Sequence, residues 1–282
     1  MPDHRISPPD RTGRESRGVL HQLDLMYVRG VGTLEDPAPP EFVRLVSHPL
    51  RWRLVAVLAR SDLRVRELVT VAGEPQNLVS YHLRLLRDGG LVTSRRSSFD
   101  GRDSYYHLDL DRCAEALTSV GHALHPALRM TSAPETVRRT GKSSVLFVCS
   151  GNSARSPIAE ALLRHWAGTH VRVTSAGIRP KDHIHPHAVR VLREHYDIQI
   201  DGQSPRPLES TYGARFDRVI TLCDKAREAI PEAEDWPRVH WSIPDPAATA
   251  HRRASYSAFV STAAEINTRV RQLLPDLNAI TE

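Results

Sequence analysis

At 282 residues the chain is long for one compact domain and comfortable for two, and a 40% hydrophobic fraction argues against wholesale disorder. No run approaches eighteen apolar residues and the opening MPDHRISPPDRTGRES lacks an apolar stretch, which speaks against a membrane span or a secretory leader and sets the expectation of a cytoplasmic protein. Net charge is +5, with lysine only at 142, 181 and 225, and the three cysteines, Cys113, Cys149 and Cys223, are too few and too far apart for a disulfide framework, so thiol chemistry is the better reading.

Residues 1–40 are polar, punctuated by Pro and Gly, and end in EDPAPP, as expected of a flexible arm. From there to residue 108 the chain carries 11 Arg against 7 acidic residues, a basic balance that fits nucleic acid or a solvated surface about equally well. After Pro49, Leu50, Leu54, Val57 and Leu58 fall at helical spacing, and a second short helix, Val65 to Val71, ends at Gly73. A third helix begins near Gln76, with Val79, Leu83 and Leu86 on one face and Asn77, Ser80, Tyr81, Arg84 and Arg87 on the other. Gly89-Gly90 stops it, and LVTSRRSSFDGRDSYYHL reads as two strands around a basic turn, followed by a helix to about residue 125. This is the pattern of a winged helix-turn-helix over 41–126. Gln76, Asn77, Ser80, Tyr81 and Arg84 are then the candidates for base edges in the major groove, and Arg95, Arg96 and Arg102 for phosphates. A helical module that only dimerises is the competing reading.

HPLRWRLVAVL, SYHLRLLRDGGLVTSRR and the YYHL strand resemble the ArsR-type metalloregulators. That resemblance implies a homodimer, formed through this domain, which binds operator DNA and releases it when a metal or metalloid binds. Arsenite-sensing members carry a pair of thiols before the recognition helix. Here Arg64 and Arg66 stand at those positions, so that site is absent. Zinc-type members hold the metal on the last helix, and Asp109, Asp111, His122 and His125 recur at the same intervals, so Zn²⁺ shared across a dimer is one expectation. The alternative is that the two aspartates cap the helix and the histidines lie on its surface.

Residues 127–143 are polar with weak periodicity and read as a linker. From Ser144 the texture changes to strands alternating with helices: SVLFVC, IAEALLRHWAG, VRVTSAG, HAVRVLREHY, RVITLC, and a last helix from about 255 to 274. Such alternation implies a three-layer α/β domain with a parallel sheet over 144–282. In VLFVCSGNSARSPIAEALL a hydrophobic strand runs into Cys149, five residues follow, and Arg155-Ser156 open a helix. A strand-to-helix loop of this kind (Ser150, Gly151, Asn152, Ser153, Ala154, Ser156) aims backbone N–H groups at an anion, and Arg155 grips two oxygens of a tetrahedral oxyanion. Thiolates are favoured in such settings, which makes Cys149 a nucleophile. Asp245, stiffened by Pro246 in HWSIPDPA, is a general acid or base for it.

Together these motifs, with SAGIRP and HPHAVRVL, resemble the low-molecular-weight protein tyrosine phosphatase fold. Phosphotyrosine phosphatases of this fold place Tyr after the Asp-Pro; Ala247 and Ala248 follow here, which suits a small oxyanion better. RVITLCD and HWSIPDPA look like the thiol-dependent arsenate reductases, and Cys223 matches that family's second cysteine. The resemblance implies that arsenate is attacked by Cys149 and released as arsenite by a second thiol. Reducing equivalents come from thioredoxin, mycothiol or glutathione, and no cofactor is tightly bound. The third cysteine of thioredoxin-linked members is missing, with Ile230 near its place. The relay is therefore truncated: either Cys149 and Cys223 form the disulfide themselves, or a small thiol such as mycothiol or glutathione attacks the adduct. A competing reading of Cys223 is a small apolar residue ending a buried strand. Asn152, Glu160 and Ser175 match positions that hold K⁺ or Na⁺ in some members. The expected whole is a DNA-binding regulator fused to an arsenate reductase. The alternatives are a phosphatase acting on phosphotyrosine or small esters, and a regulator that only senses an oxyanion.

Overall fold

The computed structural model describes residues 38–99, 101–125, 128, 143–231, 235–248 and 255–279; nearly all of the expected arm and linker lies outside them. The N-terminal half runs α1 (Glu41–Val46), α2 (Pro49–Leu58), β1 (Leu63–Arg64), α3 (Val65–Ala72), α4 (Gln76–Asp88), β2 (Val92–Arg96), β3 (Ser104–Leu108) and α5 (Leu110–Leu124). Helix starts follow local chemistry: His48 Nδ1 accepts from the Leu50 amide ahead of Pro49, and Glu67 reaches back to the Arg64 amide at 2.8 Å. Gly73 closes α3 in the left-handed region, φ 65°, where a side chain is strained. Leu50, Leu54, Leu58, Leu68, Val79, Leu83 and Leu86 are buried together as one core. The wing is the hairpin β2–β3, widened by the two-residue β1 into an antiparallel sheet of order β1-β3-β2.

The C-terminal half consists of β4 (Ser143–Cys149), α6 (Arg155–Ala167), β5 (Val171–Gly177), α7 (Pro186–Tyr196), β6 (Arg218–Thr221), α8 (Asp224–Ala229), β7 (Arg238–His240) and α9 (Tyr256–Ala279). Its sheet is parallel throughout, in the order β5-β4-β6-β7. Every residue of β4 is buried, as parallel strands covered on both faces require, and the apolar run SVLFVC announces it. Helices α6, α7 and α9 pack on one another, with α6 lying along β4 and β5. A second core, with Phe147, Leu162, Phe259 and Ile266 fully buried, fills this half. Among the described residues no helix is long and apolar enough to cross a membrane.

The two cores meet through a polar seam. Asp62, just before β1, is buried against the C-terminal half, where both its oxygens lie 3.1 Å from the Arg269 guanidinium and it accepts from the Ser242 amide at 2.7 Å. Burial alone would raise its protonation range, but Arg269, His107 and the Ser242 amide outweigh it and hold the carboxyl below the usual carboxylate values. Asp224, at the start of α8, is likewise buried: burial is outweighed by His240, the Ser98 amide and Ser242, and its carboxyl too is held low. Arg64 pairs with Glu228 at 2.9 Å, and Arg227 pairs with Glu67 while lying 5.3 Å from the Tyr105 ring centroid. Tyr105 is itself pushed up to about 12, chiefly by burial.

Candidate oxyanion site

The end of β4 and the start of α6 bracket the loop from Cys149 to Arg155, at the carboxyl edge of a parallel sheet, where α/β folds bind ligands. The loop's carbonyls are turned outward: those of Cys149, Ser150, Gly151 and Ser153 accept from the amides of Ile178, Arg179, Lys181 and His185. The amides of Gly151 to Ala154 donate to no carbonyl or side chain among the described residues, which leaves them to an anion at the helix N-terminus. Asn152 turns the corner with φ 44°, unusual for a side-chain-bearing residue, and is held there by its own amide group. Its Nδ2 donates to Ser156 Oγ at 2.9 Å and to Ser175 Oγ at 2.8 Å, and its Oδ1 accepts from the Arg206 amide at 2.7 Å. Gly177, at the end of β5, is where the sheet makes room for this loop, since a Cβ there would lie 2.7 Å from the Asn152 nitrogen.

Cys149 Sγ sits 3.0 Å from Ser156 Oγ, a hydroxyl placed to hold the sulfur. Arg155 is only 4% exposed: one terminal nitrogen donates to the Ile243 carbonyl at 3.0 Å and the other lies 3.3 Å from Asp245. The guanidinium is thereby fixed, and its buried Nε has no partner among the described residues, so it remains a donor for an oxyanion. Cys149, Arg155, Cys223 and Asp245 line one cleft of about 870 Å³, so the sequence-predicted catalytic set comes together. Cys223 is buried, with Ser150 Oγ 3.2 Å from its sulfur. Burial pushes the thiol up, with Arg155 pulling it down only in part. Ala247 and Ala248 line the cleft as small walls.

The motifs alone do not announce the rest of the lining. Arg179, Lys181 and Lys225 place cations around the mouth; the first two follow directly on β5, and the topology of parallel sheets is the signal that points to them. Ser98 and Phe99 reach the same cleft from the wing, and nothing in their local sequence marks them.

Asn152 and Glu160 are joined through Ser175, whose Oγ accepts from Asn152 Nδ2 and donates to Glu160. The positive charge facing Glu160 is supplied by Arg206 at 2.8 Å and Arg164 at 2.6 Å. For zinc, the described residues of the chain contain no group of three His, Cys, Asp or Glu arranged to hold a metal. Asp109 caps α5 through the Arg112 amide at 3.0 Å, Asp111 accepts from Gln272 at 2.9 Å, and His122 and His125 lie at the other end of that helix. On α4, Gln76, Asn77, Tyr81 and Arg84 are exposed and Ser80 is half-buried, opposite buried Val79, Leu83 and Leu86. The wing arginines differ from one another. Arg96 donates to the Gly101 carbonyl at 3.1 Å, whereas Arg95 turns onto the C-terminal half, to the Ser242 carbonyl and to Glu265. Arg64 and Arg66, in place of thiols, pair with Asp103.

Residues 144–282 match the model of the low molecular weight phosphotyrosine protein phosphatase family, and residues 48–94 that of the bacterial regulatory proteins of the arsR family. An arsenate reductase of Bacillus cereus (strain AH187) is 33% identical over 132 residues, spanning 46% of this chain and 93% of that protein. The chain is a low-molecular-weight phosphatase-family protein with an arsR-family domain fused in front. An arsenate reductase of Brevibacillus brevis is 36% identical over 107 residues, 38% of this chain and 78% of that protein. A crystal structure of an arsenate reductase from Archaeoglobus fulgidus is similar over 46% of this chain and 98% of its own, at 29% identity and a TM-score of 0.40.

Proposed function

We propose that the phosphatase-type domain reduces arsenate to arsenite and that the arsR-family domain, as a cytoplasmic homodimer, binds operator DNA. The observation that carries the first part is the second buried thiol, Cys223, in the same cleft as Cys149, Arg155 and Asp245. The Cys149 thiolate attacks arsenic(V) held by the loop amides and Arg155, and an arsenic–oxygen bond breaks as Asp245 protonates the departing oxygen. A second thiolate then attacks the Cys149 sulfur. The sulfur–arsenic bond breaks, its electron pair stays on arsenic, arsenite leaves, and a disulfide remains. Cys223 is the internal candidate for that thiol. It must first lose the proton that burial helps it keep, so its attack is expected to quicken as pH rises. An external thiol system (thioredoxin, mycothiol or glutathione) returns the disulfide to thiols.

Purified full-length protein should consume arsenate with one of these systems far faster than it hydrolyses an aryl phosphate. The reverse ranking would make it a phosphatase, a reading supported by the same nucleophile and loop. No turnover of either would leave an oxyanion-sensing regulator. For the DNA part, the exposed polar face of α4 is the support, and a palindromic operator with half-sites about one helical turn apart is the expected target.

A further inference from the structure

Phe99 is a large aromatic side chain, 57% exposed, in a wing whose neighbouring positions are polar. It lines the cleft that holds Cys149 and Cys223. The wing is tied to the C-terminal half at two points. The Ser98 amide donates to Asp224, the residue after Cys223, and Arg95 donates to the Ser242 carbonyl and lies 3.4 Å from Glu265. Asp224 is in turn fixed by His240 at 3.1 Å and Ser242 Oγ at 2.9 Å, so the support under the tip is rigid. On the Asp245 side the walls are Ala247 and Ala248, which offer a substituent no aromatic surface.

We propose that Phe99 is a specificity-determining wall of the oxyanion cleft: the DNA-binding domain supplies the one aromatic surface, among the described lining residues, against which an aryl group on the oxyanion can stack. A tetrahedral oxyanion alone fits within the loop amides and Arg155. An aryl phosphomonoester seated on the same loop must place its ring in the rest of the cleft, which Phe99 helps to line. This deepens the reading of the cleft as an oxyanion site and does not depend on which chemistry follows binding.

The test uses full-length protein carrying Cys149→Ser, so that ligands bind without turnover, titrated calorimetrically with inorganic phosphate and with phenyl phosphate. Removing an aromatic partner costs roughly three- to tenfold in affinity. Added Phe99→Ala should therefore raise the ratio of the phenyl phosphate Kd to the phosphate Kd by about that factor, and Phe99→Tyr should restore it. Arg95→Ala, which loosens the tip without touching the ring, should raise the ratio by a smaller factor. A ratio that moves less than twofold in Phe99→Ala, or a parent protein that binds phosphate but not phenyl phosphate, overturns the proposal. Failure of phosphate itself to bind sinks the oxyanion-site reading as well, whereas absence of arsenate turnover alone leaves this measurement standing.

Discussion

At the oxyanion loop one arginine, Arg155, is buried and held by two fixed acceptors, while at the recognition helix and wing the arginines stand mostly in solvent. Under the proposed function both regions meet anions, and both offer guanidinium groups and backbone or side-chain donors. The loop has one small ligand and must meet it with donors already in place, so its carbonyls are tied outward and its corner is set by Asn152. Operator DNA, the ligand proposed for the helix, is a long polyanion, for which exposed cations suffice. Preorganisation is therefore concentrated in the half where chemistry happens, and the wing, through Arg95 and Ser98, is borrowed into it.

Cys149→Ser is the harshest test of this contrast, because a protonated hydroxyl in that loop is a poor nucleophile. All arsenate reduction and all aryl phosphate hydrolysis should vanish in steady-state assays, and an active variant would overturn the assignment. Cys223→Ser comes next. Aryl phosphate hydrolysis needs one thiol and should stay within about threefold, while arsenate reduction should fall roughly a hundredfold if Cys223 closes the disulfide. Mass spectrometry after one turnover distinguishes a Cys149–Cys223 disulfide from a mixed disulfide with an external thiol.

The seam between the halves gives a third test. Arg269→Ala leaves buried Asp62 without its partner guanidinium, and losing one member of a buried pair costs about 3–5 kcal/mol. Urea unfolding should show the loss, or an early separate transition of the N-terminal half; an unaltered profile would show the seam to be dispensable. The same seam is acid-sensitive in one direction. Asp62 and Asp224 are held below the ordinary range in the folded protein, so the stability they contribute is complete above the unfolded value of about 4 and drains away as pH falls below it. Urea midpoints between pH 7 and 3 should drop below pH 4, and less steeply in Asp224→Asn.

The smallest expected effect separates the two wing arginines. Arg96→Ala should weaken operator binding and lower its salt slope by about one phosphate contact, measured by fluorescence anisotropy at several salt concentrations. Arg95→Ala should change the slope less, since that side chain is engaged by Ser242 and Glu265. Equal effects of the two would mean the wing leaves the phosphatase-type domain when it meets DNA.

The loop was legible in sequence because its parts are contiguous: strand, cysteine, five residues, arginine and helix all fall within one short stretch. The long helices were legible for the same reason, their apolar spacing being local. The short elements escaped. Leu63–Arg64, Asp224–Ala229 and Arg238–His240 are too brief for any period to register. The seam was invisible because Asp62, Asp224, His240 and Arg269 lie far apart in the chain and each reads as an ordinary surface group until the fold buries it. Arg95 shows the limit most plainly. By composition it belongs with Arg96 as a phosphate ligand, and only the proximity of Ser242 gives it other work.

The outermost strand of the parallel sheet, Arg238–His240, does not end in bare solvent: the Asp62 amide donates to the His240 carbonyl at 2.9 Å, and the His240 amide donates to Ser61 Oγ at 3.0 Å. The regulator half is thus a cover for a strand edge. Unpaired edges recruit other chains, so cutting the protein between residues 125 and 143 would do more than separate two domains. The liberated catalytic half would carry a sticky border, and its solubility, before its turnover, would be the first property to suffer.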